Sequence, residues 1–289
     1  MTPDGPAVVA LGGGHGLSAT LRATRRYAGD LAAIVSVADD GGSSGRLRSA
    51  FGIPAPGDLR KCLVALAADE SLWTRAFEHR FQSGELEGHA FGNLVIAGLA
   101  DATGDFDVAL AEAGRLLGTV GRVFPATREP VVLKAEAGGA SVEGQVAVSN
   151  AGRISGVSLV PADPEPPPGA VAALAAADQV VIGPGSLFTS VLAVVAVPAL
   201  RQALADATGR KVYVCNLRPQ VPETAGFDVA AHVEALAAHG LEVDVVLRDP
   251  TGLPLGGVGV AVVEAPLALS DGSAHDPVLL AAALSGLIG

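Results

Sequence analysis

Short unbroken apolar runs alternate with helix-spaced stretches through most of the chain, and nearly every run ends in glycines or polar residues. The first, AVVAL at 7–11, leads into Gly12-Gly13-Gly14-His15-Gly16-Leu17-Ser18, after which LSATLRATRRY has the spacing of a helix. LAAIVSVA at 31–38 reads as a second buried strand that closes a βαβ unit and delivers Asp39 at its carboxyl end. In an open parallel sheet, ligands sit outside that end. Helices are predicted from near Asp58 or Leu59, then over 72–81, 91–102 and 106–117, with Gly104 as a stop and Asp105 as an N-cap.

The pattern changes at 130–160, where VVLKAEA, SVEGQVAVS and RISGVSLV alternate and are split by glycines, as in a small antiparallel β insert. PADPEPPPG at 161–169 reads as a stiff connector. The parallel α/β rhythm then returns: helix 170–177, strand 179–182, the turn Gly183-Pro184-Gly185-Ser186, helix 187–195, and a helix from Pro198 to 207. Strand 211–217, a polar loop at 218–227, helix 228–238, strand 243–247, β-like residues at 258–263 and a last helix at 276–287 complete the chain.

Hydrophobic residues make up 49% and charged residues 17%, below the usual charged share of about a quarter. The excess is mostly alanine and valine, which favours helices packed tightly on a sheet. The net charge of −11 opposes general binding to nucleic acid or anionic membrane. Cys62 and Cys215 are too few and too far apart for a CxxC pair or a zinc cluster, and fit a reducing cytosol. No basic segment precedes the first apolar run, and the longest nearly polar-free run, 191–200, is interrupted by Pro198 and is about half of a membrane span. A soluble, cytoplasmic protein is expected.

The densest chemistry lies at 39–61, DDGGSSGRLRSAFGIPAPGDLRK. Asp39, Asp40 and Asp58 stand there among Arg46, Arg48, Arg60 and Lys61, with glycines at intervals, as in a ligand-gripping loop. Asp39 and Asp40 read either as a solvated turn or as a metal or ribose contact, with Gly42, Ser43 and Ser44 offering donors to a phosphate that Arg46 neutralises. Gly57, Asp58 and Arg60 follow a proline as a turn with an N-cap aspartate, or as part of the same site. His89 and Asn93 read as a general base with an orienting amide, or as a satisfied buried pair; a zinc pair lacks a third ligand. Gly183, Pro184, Gly185 and Ser186 form a second anion-type turn, with Thr189 one helical turn on, and Asn216, Gln220, Glu223 and Thr224 follow another strand. Gly14-x-Gly16-x-x-Ala19 also fits a dinucleotide fingerprint, which supports a weaker NAD(P) reading; a P-loop is absent.

GGGHGLS, VADDGGSSGRLR, PGDLRKC, GHAFGNL, GPGSLFTS and KVYVCNL with PQVPETAGF together resemble the successive signatures of the YvcK-like branch of the CofD/YvcK family, the gluconeogenesis factors. The resemblance implies a Rossmann-like three-layer α/β sandwich, mainly parallel, as one domain over 1–289 with its β insert at about 130–160. It also implies a UDP-sugar ligand of the UDP-N-acetylglucosamine type and a regulatory role in cell shape, peptidoglycan precursor synthesis and gluconeogenic growth. Self-association and cell-wall regulatory proteins stand as further partners, and no metal is firmly expected. The ligand's diphosphate is placed over Gly12 to Ser18 and Ser43 to Arg46, its uridine and sugar toward Asn216 and the loop from Gln220 to Phe227. The CofD branch implies the alternative, a Mg²⁺-dependent transferase using a nucleoside diphosphate-linked donor, with Asp39, Asp40 and Asp58 organising metal or phosphate and His89 as base. His15, Lys61, Phe227 and Ala274 depart from the family's usual threonine, asparagine, tyrosine and arginine.

Overall fold

A computed structural model describes residues 4–289. Its centre is a seven-stranded sheet in the order β10-β9-β8-β7-β1-β2-β3, with every neighbouring pair parallel. The strands are β1 (Ala7–Gly12), β2 (Asp30–Val35), β3 (Arg122–Pro125), β7 (Gln179–Ile182), β8 (Arg210–Val214), β9 (Val245–Arg248) and β10 (Ala261–Glu264). In β1, β2, β7 and β9 successive residues are buried, so both faces of each strand are covered. That requires helices on both sides of the sheet and explains why these segments read as continuous apolar runs.

The chain runs outward from β1 through β2 to β3, then returns to the other side of β1 as β7 and continues outward through β8, β9 and β10. Ala10 of β1 therefore pairs with Ala33 on one side and Val181 on the other. The strand order reverses between β1 and β7, and the crevice beyond their carboxyl ends is the natural binding position of such a sheet.

Helices α1 (Gly14–Thr24), α3 (Pro56–Leu66) and α12 (Pro277–Ser285) pack together, and α2 (Gly42–Phe51), α4 (Leu72–Glu78), α5 (Phe91–Thr103) and α6 (Phe106–Leu117) build outward from α3. Gly104 ends α5 in the left-handed conformation, and Asp105 caps α6 by accepting from the N–H groups of Asp107 and Val108. Among the described residues no single helix is long and apolar enough to cross a membrane; of the bent pair Leu187–Val195 and Pro198–Asp206, the first half is buried in the core and the second buries only Leu200 and Leu204.

The insert is a three-stranded antiparallel sheet of β4 (Val132–Ala137), β5 (Ala140–Glu143) and β6 (Ile154–Val160). Several sequence expectations need correction. The stretch SVEGQVAVS is only half strand: Gly144, with φ of 95°, breaks it, and Gln145–Ser149 forms a short helix, α7. The connector ends early, because Pro168 already opens α8 (Pro168–Ala175). Strand β3 was not expected from the sequence. The predicted helix over 187–195 opens with a π-helical turn, Leu187–Val191, before α9 (Leu192–Val195) and α10 (Pro198–Asp206). The supposed loop at 39–61 holds two helices, α2 and the first part of α3, joined by four residues. Helix α11 (Val229–Ala238) is capped by Asp228 and α12 by Asp276.

Candidate functional site: a cleft at the sheet's switch point

Two glycine turns meet where the strand order reverses. Gly12 and Gly14 after β1, and Gly183 and Gly185 after β7, all have positive φ. Their close approach leaves no room for side chains: a Cβ on Gly16 would lie 2.2 Å from the Pro184 carbonyl oxygen. A Cβ on Gly13 would lie 2.7 Å from Asp58 Oδ2 and 3.0 Å from Ser190 Oγ. Gly12 to Gly16 thus form the floor of the site, with His15 exposed above it. Leu17 is core, and Ser18 donates back to the Gly14 carbonyl at 3.0 Å, so both are spent on the helix. The positive field of Lys61 lowers the His15 pKa most, burial adds to this, and Asp58 opposes it.

The first turn of α1 has no side-chain cap of its own. Asp58, reaching from α3, supplies one: its Oδ2 accepts the Gly14 N–H at 2.7 Å, while Lys61 Nζ donates to Oδ1 at 2.9 Å. Asp58 is therefore not the N-cap of its own helix, a position held by Ala55.

The second wall is the start of α2. Asp39 Oδ1 accepts the Gly41 N–H at 2.9 Å, and Asp40 Oδ1 accepts the Val146 N–H at 2.9 Å, so Asp40 ties the β insert to the sheet edge. Gly45 lies against the Asp40 carbonyl, and a Cβ on Gly57 would come 2.2 Å from Ser44 Oγ, which packs α2 closely on α3. Ser44 is buried with no hydrogen-bond partner for its hydroxyl among the described residues.

Ser43, Asn93 and Arg60 are also buried and form one relay. Ser43 Oγ accepts from Asn93 Nδ2 at 3.1 Å and from the Ala90 N–H at 3.3 Å, and lies 3.1 Å from His89 Nδ1. With both lone pairs engaged, the hydroxyl proton goes to Nδ1, which fixes His89 as the neutral Nε2–H tautomer. Burial lowers the His89 pKa, and Arg46 and Arg80 lower it further. Asn93 Oδ1 accepts from Arg60 Nε at 3.1 Å, and Arg60 also donates to the Phe77 carbonyl.

On the third wall Asn216 clasps the second glycine turn, accepting from the Gly185 N–H at 3.0 Å and donating to its carbonyl at 2.9 Å. Gln220 Nε2 donates to Ser186 Oγ at 3.1 Å. Thr189, Glu223 and Thr224 lie apart from the cleft in the interior. Glu223 accepts from the N–H groups of Phe188 and Thr189 and from the Thr189 hydroxyl, and Thr224 folds back on Gln220. Burial raises the Glu223 pKa against those donors. Phe227 packs edge-on to Phe188 and His232. These residues set the loop's shape.

Between the turns lies a cleft of about 280 Å³ lined by His15, Gly16, Pro184, Asn216, Arg218 and the segment Gly272 to His275. A larger cavity of about 370 Å³, bounded by Leu110, Phe124 and Pro168, holds none of the predicted site residues.

Three contributors escaped the sequence reading. Arg218 is an exposed cation on the rim, lying 3.0 Å from where a Cβ on Gly272 would stand. The tail segment around 267–276 forms a wall because Asp249 Oδ2 accepts the N–H groups of Leu267 and Ala268, and His275 lies 3.2 Å from the Cys215 carbonyl. Ser190 faces Gly13 with no hydrogen-bond partner for its hydroxyl among the described residues, while the hydroxyl of its neighbour Thr189 is taken by Glu223. Ser190 had a sequence signal in the GPGSLFTS motif and the tail segment had one in Ala274, where the family usually has arginine; the register of the π-helical turn decides which hydroxyl faces the floor.

The sequence matches the family described as 2-phospho-L-lactate transferase CofD over residues 8–260. A Bacillus subtilis protein named Gluconeogenesis factor is 44% identical over 237 residues, covering 81% of this chain and 75% of that protein. A Nostoc relative is 45% identical over 237 residues, but the chain spans only 52% of its length. The crystal structure of a Bacillus halodurans member of the UPF0052 family superposes with a TM-score of 0.93 at 36% identity, covering 97% of this chain and 99% of that one. The family match covers both glycine turns and all of the sheet's strands but β10, and the chain belongs to the CofD family, in the branch of the gluconeogenesis factors.

Proposed function

We propose that this chain is a cytoplasmic UDP-sugar-binding regulator, with a ligand of the UDP-N-acetylglucosamine type, acting in cell shape, cell-wall precursor synthesis and gluconeogenic growth. The observation that carries the reading is the cleft at the β1/β7 switch point. It joins two glycine turns to a rim of Asn216, Gln220 and Arg218, the mix of close backbone and polar side chains that a diphosphate joined to two rings needs. The diphosphate lies along Gly13 to Gly16 toward Ser43 and Ser44. The remainder extends into the cleft between Arg218 and the tail segment, rather than over the 220–227 loop, whose polar side chains at Glu223 and Thr224 point inward. Calorimetric titration with UDP-N-acetylglucosamine, UDP-glucose and GDP tests this; the absence of heat from any UDP-sugar at millimolar concentration would overturn it.

The family's description favours a second reading, a Mg²⁺-dependent transferase acting on a nucleoside diphosphate-linked donor. Mg²⁺ is held by one or two carboxylates together with ligand phosphates and water. Asp39 fits that donor set through Oδ2, which lies 3.4 Å from where a Cβ on Gly57 would stand, whereas both oxygens of Asp58 are engaged by the Gly14 N–H and Lys61, and Asp40 Oδ1 is engaged by the insert. Bound there, the ion would neutralise charge developing on the phosphates. Lys61 and the α1 first turn hold Asp58 in place, and the Ser43 hydroxyl occupies the Nδ1 lone pair of a neutral His89 imidazole, which leaves Nε2–H as a hydrogen-bond donor to a ligand oxygen and not the base that the sequence suggested. Phosphorus NMR of a donor panel with and without Mg²⁺ separates the two readings, since only the transferase consumes its donor.

A further inference from the structure

A cavity of about 370 Å³ opens between α6, the edge strand β3 and the start of α8, within the range of about 300–1,000 Å³ usual for small-molecule sites. Its walls are largely apolar, built from Leu63, Leu110, Val123, Phe124, Pro167 and Pro168. The Phe124 ring is held close against the start of α8, because a Cβ on Gly169 would lie only 2.7 Å from its Cε1. No residue that lines this cavity also lines the switch-point cleft.

Three charged side chains border the same space: Arg122, Arg128 and Asp107. Arg122 Nη2 donates to Asp30 Oδ2 at 2.6 Å, with its guanidinium 5.8 Å over the Phe124 ring, and Arg128 Nε donates to Asp107 Oδ2 at 2.8 Å. Both cations therefore have a carboxylate. Asp107 Oδ1 is buried and has no hydrogen-bond partner among the described residues. A buried acceptor is costly to leave without a donor, so the partner that suits this cavity is a donor and not an acceptor. An ammonium makes the stronger, charge-assisted bond to a carboxylate, and the net charge of −11 draws cations to the chain. The terminal torsion of an aspartate is soft, so a small turn of the Asp107 carboxylate presents Oδ1 to a donor in the cavity.

We propose that the cavity between α6, β3 and α8 is a second ligand site, which takes a small amphiphilic amine. Its aliphatic or aromatic body lies against Leu110, Phe124 and Pro168, and its ammonium donates to Asp107. The site goes beyond the UDP-sugar reading and does not depend on it, since the two share no lining residue.

The test is nitrogen–proton NMR of the full chain near neutral pH, with benzylamine as the probe and benzoate and benzyl alcohol as comparisons at constant ionic strength. Benzylamine moves the amide signals of Gly114, Gly121 and Gly169, which line the cavity, saturably, and benzoate does not. Ala111→Phe, at an exposed position of α6 that borders the cavity, fills the space and raises the midpoint roughly tenfold or more for benzylamine and benzyl alcohol alike. Asp107→Asn raises it about tenfold for benzylamine and distinctly less for benzyl alcohol. Unchanged amide signals from β1 and β7 verify the fold of each variant. No saturable movement, a benzylamine midpoint unchanged in either variant, or benzoate binding as tightly as benzylamine overturns the proposal. UDP-N-acetylglucosamine added beforehand leaves the three glycine signals and the benzylamine midpoint as they were, so a failure of the nucleotide reading is seen separately; a midpoint raised by the nucleotide contradicts a separate site.

Discussion

Asp58 Oδ2 accepts the Gly14 N–H at 2.7 Å, which places a carboxylate where the first turn of α1 would otherwise receive a ligand's phosphate. Lys61 on the other oxygen softens this charge without removing it. Replacing Asp58 by asparagine keeps an oxygen for Gly14 and deletes the charge. In the absence of metal, affinity for UDP-N-acetylglucosamine measured by calorimetry is expected to rise about fivefold, the equivalent of ~1 kcal/mol of partly screened repulsion. Weaker binding by Asp58→Asn would show instead that the carboxylate helps to hold the ligand.

Gly16→Ala drives a methyl group into the Pro184 backbone, 2.2 Å away, at the junction of the two glycine turns. Gly57→Ala meets the Ser44 Oγ most closely, and that hydroxyl can rotate, with Asp39 Oδ2 at ordinary contact distance. Denaturant unfolding is expected to show a loss of about 2 kcal/mol or more for the first and distinctly less for the second. Equal losses would mean that the turns are not rigidly docked.

Glu223 accepts from the Phe188 N–H and from the Thr189 N–H and hydroxyl at the π-helical turn. Glu223→Ala leaves these buried donors unpaired and is expected to cost about 2 kcal/mol. Glu223→Gln retains one acceptor and costs less. Because the folded-state pKa is raised, chiefly by burial, the wild type loses stability as pH climbs from the ordinary carboxylate value through the raised one, and the glutamine variant lacks that dependence. Thermal melts across this window check the sign.

The strands were legible because a parallel sheet buries both faces and leaves continuous apolar runs, as at 7–11 and 179–182. The glycine turns were legible too, because positive φ at Gly12, Gly14, Gly183 and Gly185 needs that residue type. Helix α2 was not: GSSGRLRSAF has poor helix propensity, and the close packing of Gly45 on Asp40 and of Ser44 on Gly57 is tertiary. Strand β3 is four residues ending in proline at the sheet edge, too short for periodicity to show. Ser190 stands where Thr189 was expected for the same kind of reason: which hydroxyl faces the floor depends on a helical register that no local pattern records.

Asp249 holds the tail segment against the cleft. Burial alone would raise its pKa, but donation from the Thr251 hydroxyl and from the N–H groups of Leu267, Thr251 and Ala268 outweighs burial and lowers it to about 2. A depressed folded-state value gives stability that is present above about pH 4 and is lost as pH falls toward the depressed value. Wild-type melts should show this acid loss, and Asp249→Asn should be less stable near neutrality with a flatter profile over the same window. Identical profiles would contradict the assigned role.

The central claim is that a nucleotide sugar binds at the β1/β7 switch point, and a crystal structure of the chain soaked with UDP-N-acetylglucosamine tests it most directly. The predicted result is one ligand with its diphosphate along Gly13 to Gly16 and its remaining parts between Arg218 and the segment Gly272 to His275. Density elsewhere on the molecule, or a cleft without ligand at millimolar nucleotide, would contradict the account.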